Sequence, residues 1–97
     1  MKTLEIIIAG RVQKVGFRAC ARKFAMDLKV TGTVMNLDDG KVQIFATAEP
    51  IILEKFISML YSCPRATIRD IHSTEILARP YAEFSIIKNS GRISTLL

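Results

Sequence analysis

The sequence contains no tryptophan, a single histidine and only two cysteines among 97 residues. That scarcity leaves no Ser/His/Asp set, no thiol nucleophile beside a base and no cluster at metal-ligand spacing. Cys20 and Cys63 do not make a disulfide framework, and they are expected as reduced, partly buried thiols. No apolar run approaches the length that spans a bilayer. Glu5 interrupts the one apolar stretch near the N-terminus and no small-residue cleavage site follows. No signal peptide is therefore expected, and the cytoplasm is the default compartment. Internal repeats, linkers and low-complexity segments are also missing. One domain over residues 1–97 is the expectation, with its core at about 3–88 and a tail, 89–97, that the pattern does not interpret.

What is present suits a soluble globular domain: 49% apolar and 24% charged residues are enough for one core and a solvated surface. The net charge of +5 attracts anionic ligands, nucleic acid included, without selecting among them.

Residues 3–9 read as a strand whose three isoleucines suit a central, two-sided position. Phe17, Ala21, Phe24 and Leu28 then recur at helical spacing while Arg18, Arg22, Lys23 and Asp27 lie off that line. Residues 30–36 form a second strand and 41–47 a third, with Asp39-Gly40 between them as a hairpin signal. Pro50 suits the first turn of a second helix, whose apolar face is Leu53, Phe56, Ile57 and Leu60, and which stops before Pro64. Residues 66–77 and 82–88 read as a fourth and a short fifth strand. The order β-α-β-β-α-β with an extra C-terminal strand predicts an α+β, ferredoxin-like sandwich, with two helices on one face of an antiparallel sheet. Such helices run antiparallel and bring Cys20 and Cys63 to one end of the sheet. A disulfide is conceivable there, though the expected compartment argues against it.

Gly10-Arg11-Val12-Gln13-Lys14-Val15-Gly16-Phe17-Arg18 joins the first strand to the first helix. A strand, a loop with two glycines and a helix N-terminus can hold an anion on backbone N–H groups. Arg18, in the first helical turn, can add two parallel hydrogen bonds to phosphate oxygens. On periodicity alone, however, Arg18 reads as a solvated arginine, and Asn36 as a turn residue before the hairpin.

Two segments alter those readings together. Gly10-Arg11-Val12-Gln13-x-Val15-Gly16-Phe17-Arg18 and Gly32-Thr33-Val34-Met35-Asn36-Leu37-Asp38-Asp39-Gly40-x-Val42 resemble the two signature motifs of the acylphosphatases, in order and separation. The resemblance runs from about residue 3 to 88. It implies hydrolysis of the carboxyl–phosphate bond of small acyl phosphates, releasing inorganic phosphate, with no metal or organic cofactor. It also implies that Arg18 and the amides of the loop Gln13, Lys14, Val15, Gly16 and Phe17 hold the phosphoryl group, and that Asn36 orients water. A monomer without membrane or nucleic-acid partners is expected. One departure is Lys14, where the family usually has glycine. A left-handed backbone there would cost lysine on the order of 1 kcal/mol. An outward side chain would instead add charge at the mouth, and this is the expectation.

Lys14 also motivates a rival reading, a phosphate-binding module that has lost turnover. A second rival is an RNA-binding domain of the same element order, which needs sheet-face aromatics. The third strand offers only Phe45, which disfavours it. His72, in a strand-like stretch far from both motifs, is expected at the surface. Asp38 and Asp39 belong to a turn and are not read as an acid–base pair.

Overall fold

In a computed structural model that describes residues 1–88, the chain runs β1 (Lys2–Arg11), α1 (Phe17–Leu28), β2 (Thr31–Asn36), β3 (Val42–Ala48), α2 (Pro50–Leu60), β4 (Thr67–Ile76) and β5 (Phe84–Ile87). The expected tail, 89–97, lies outside the described residues. The strands form one sheet in the order β4-β1-β3-β2-β5. The β1–β3, β1–β4 and β2–β3 pairs are antiparallel, as the ferredoxin-like expectation requires. The β2–β5 pair is parallel, so the sheet is mixed and not antiparallel throughout. The cause is the segment 77–83, which carries the chain from the β4 edge to the opposite edge and delivers β5 in the direction of β2.

Alternation along the strands sends Ile6, Ile8, Val34, Val42, Ile44 and Ala46 to the helix-covered face, all fully buried. Phe17, Ala21 and Ala25 of α1 and Leu53, Phe56 and Leu60 of α2 close over them at helical spacing. Truncating any large member of this cluster to alanine would cost about 2–5 kcal/mol. β1 is central as expected, but its isoleucines are not covered on both sides: Ile7 faces the open side, half-buried. That open face is held by polar pairs instead. Gln43 Nε2 donates to Glu5 Oε2 at 2.7 Å, and the Thr3 and Thr47 hydroxyls pair at 2.7 Å. His72, paired with Ile7 across the edge strand β4, is exposed, as expected.

The cysteines correct the sequence reading. Cys20, in α1, and Cys63, just past α2, are joined in a disulfide with Cα atoms 6.0 Å apart. The start of α1 and the end of α2 meet at one end of the helix layer, bringing together thiols 43 residues apart. The element order already brings the two positions to one end of the sheet; it is the expected compartment that argues against the bond. No helix among the described residues is long and apolar enough to cross a membrane.

Candidate active site

The loop between β1 and α1 is fixed from both sides by buried side chains. Val12 and Phe17 are each 1% exposed, and Val15 packs against the same core. Gly10 lies at a bulge between β1 and β4 with φ 136°, where a Cβ would collide with the Thr67 carbonyl. The bulge re-aims the end of β1 into the loop. Gly16, at φ 77°, is the N-cap of α1 and offers no capping side chain. The first turn of α1 contains no acidic residue. Its N–H groups are orphans by helix geometry. Among the described residues, the N–H groups of Gln13, Lys14, Val15 and Gly16 also lack a protein acceptor.

Arg18, in the first turn of α1, lines the cavity beside this loop. A cation in the first helical turn opposes the helix dipole, which favours anions there. Among the described residues no carboxylate forms an ion pair with it. Uncapped amides, the positive helix end and a guanidinium without a counter-ion form an electrostatic cradle that a dianion would neutralise.

Across the pocket stands Asn36, the last residue of β2. Arg18, Asn36, Lys14, Gly16, Phe17 and Lys88 line one cavity of about 320 Å³. The Asn36 Oδ1 atom is buried and has no hydrogen-bond partner among the described residues. A buried amide oxygen left unpaired costs about 1–3 kcal/mol. No carboxylate, imidazole or thiol lines the cavity among the described residues, so its chemistry rests on hydrogen bonds and positive charge.

The two motifs are physically tied. Gln13 Nε2 donates to the Leu37 carbonyl at 2.8 Å and to the Lys41 carbonyl at 2.9 Å. The same carbonyls accept from Gly40 N and Leu37 N, which close the β2–β3 turn. That turn spans residues 37–41 and uses positive φ only at Gly40, not at the Asp-Gly pair as the hairpin signal suggested. Asp39 accepts from Lys41 Nζ at 2.9 Å and Lys41 N at 3.0 Å, and the Lys41 ammonium bond holds its carboxyl below the usual range.

Lys14 has φ 62°, the left-handed conformation that glycine adopts without cost, and its side chain is exposed at the mouth. The exposed side chain is as expected, and the left-handed backbone set against it as the alternative is present as well. Sequence reasoning gave Gln13 only an amide and overlooked its side chain, which docks the hairpin. Lys88 was also overlooked, because the short strand β5 that brings it to the cavity carries no motif.

The Acylphosphatase family model matches residues 4–86. An acylphosphatase of Archaeoglobus fulgidus is 40% identical over 87 residues, covering 89% of this chain and 98% of the relative. One from Treponema denticola is also 40% identical over 87 residues, covering 89% and 93%. The crystal structure of acylphosphatase from Bacillus subtilis matches with TM-score 0.86 at 36% identity, over 90% of this chain and 99% of that one. Similarity of this extent, over a chain that carries both motifs at the two walls of one cavity, makes this protein a member of the acylphosphatase family of enzymes.

Proposed function

We propose that the chain hydrolyses small acyl phosphates to carboxylate and inorganic phosphate, using Arg18 and Asn36 as catalytic residues. The reading assigns the phosphoryl group to the amides of Gln13, Lys14, Val15, Gly16 and Phe17, and to the Arg18 guanidinium. The side-chain amide of Asn36 orients the attacking water toward phosphorus. The observation that carries this is that Asn36, of the second motif, and Arg18, of the first, line one cavity beside the uncapped start of α1. A loose phosphoryl-transfer transition state asks chiefly for alignment and for charge stabilisation on the equatorial oxygens. The leaving carboxylate has a conjugate acid of pKa about 4, so no general acid is required. The water's proton passes to the substrate's own phosphate.

In this reading residues 1–97 act as one monomeric domain, without a metal or organic cofactor; the Cys20–Cys63 bond removes the ground for preferring a reducing compartment. The binding-module alternative differs only in turnover. The RNA alternative is disfavoured by a specific contact: Phe45, the aromatic of β3, lies under the Arg79 guanidinium at 5.0 Å and is not free for base stacking.

Hydrolysis of benzoyl phosphate in the presence of EDTA, with native protein beside Arg18→Ala, tests the proposal. Turnover is expected in the native protein, falling by about 10²–10³ in the variant. A well-folded native protein without turnover above background would overturn it in favour of the binding module.

A further inference from the structure

Beyond the cavity lining, one exposed cation stands next to the loop of the first motif. Arg65 sits in the α2–β4 connection, and a Cβ built on Gly16 would lie 3.5 Å from its Nη2 atom. The guanidinium therefore stands beside the N-cap of α1, at the positive end of the helix dipole and next to the loop that Arg18 follows. Among the described residues no carboxylate forms an ion pair with it.

Its backbone is constrained as well. Arg65 has φ 67°, a left-handed conformation that a non-glycine residue adopts only at a cost. Pro64 precedes it, and before that Cys63 is bonded to Cys20 in α1. The crosslink thus ties the chain two residues ahead of Arg65 to the same helix whose N-cap Arg65 approaches. Two lysines, Lys14 and Lys88, add positive charge at the neighbouring mouth.

We propose that Arg65 is a specificity-determining residue that meets a second negative group, on the acyl part of the substrate. The proposal rests on the hydrolase reading above for the identity of the ligand. Arg18 and the loop amides already supply the dianionic phosphoryl group with donors. Arg65 is not among the residues that line that cavity but stands beside Gly16, which is, and its planar fork is exposed and without an ion-pair partner among the described residues. The substrates favoured are accordingly acyl phosphates whose acyl portion carries a carboxylate or another anion.

The test uses two inert analogues in which a methylene replaces the bridging oxygen: phenacylphosphonate, and the same compound with a 4-carboxylate. Calorimetry gives the Kd of each for native protein, Arg65→Gln and Arg65→Gly, the glycine variant removing the backbone strain together with the charge. Native protein is expected to favour the carboxylated analogue, and in both variants that preference is expected to shrink about fivefold, as for an exposed charge pair. Equal weakening of both analogues, or an unchanged preference, would overturn the assignment. Benzoyl phosphate turnover in the same preparations keeps the two claims apart. A preference that depends on Arg65 without any turnover sinks the hydrolase reading alone. Turnover with no such preference sinks the role of Arg65 alone.

Discussion

The side-chain amide of Gln13 lies 2.8 Å from the carbonyl oxygen of Leu37, so the loop that ends β1 is bonded to the turn that begins beside Asn36. One amide thereby sets the distance between the two halves of the site. Gln13 also donates to Lys41 O, on the other side of the same turn.

Replacing Gln13 with alanine removes both bonds but strands neither carbonyl, because Leu37 O and Lys41 O keep their backbone donors. The expected stability loss is therefore small, about 1 kcal/mol in a urea titration. Turnover should suffer more, about tenfold in kcat/KM, because misplacing Asn36 relative to the loop spoils alignment. A loss of stability without a loss of rate would contradict the tie.

Asn36→Ala is expected to separate activity from stability. In the proposed mechanism the variant loses the group that orients water, so kcat is expected to fall by about 10²–10³ while KM changes little. It also removes a buried, unpaired oxygen, so the fold should be as stable as the native one or more so. Thermal melts beside steady-state kinetics check both signs.

The crosslink closes a loop of 43 residues in sequence separation. In the chain-entropy account such a bridge stabilises by about 4 kcal/mol through the unfolded ensemble. Adding dithiothreitol, or making Cys20→Ser with Cys63→Ser, should lower the urea midpoint accordingly. A midpoint that ignores reductant would mean that the thiols do not pair in solution.

Lys14→Gly should stabilise the fold slightly, by about 0.5–1 kcal/mol. Relief of the left-handed lysine outweighs the extra freedom of glycine in the unfolded chain. The same change removes a cation from the mouth. Affinity for inorganic phosphate is expected to fall about two- to fivefold at low salt, and the difference to fade as salt rises. Calorimetry at two ionic strengths decides.

By itself, the sequence determined every element and its place in the order, because apolar spacing of two or near four is a local property that one core enforces. The helix starting at Phe17, Pro50 at the first turn of the second, and strands close to 3–9, 30–36 and 41–47 were all legible in this way. The paired motifs likewise named Arg18 and Asn36, which the fold brings to one cavity. Tertiary structure alone decided what depends on long-range approach. The Cys20–Cys63 bond, the Gln13 side chain under the hairpin, Arg65 beside Gly16 and the parallel seat of β5 each join residues more than 20 positions apart. No local pattern encodes such meetings, since they follow from where the helices and edge strands settle once the core has closed.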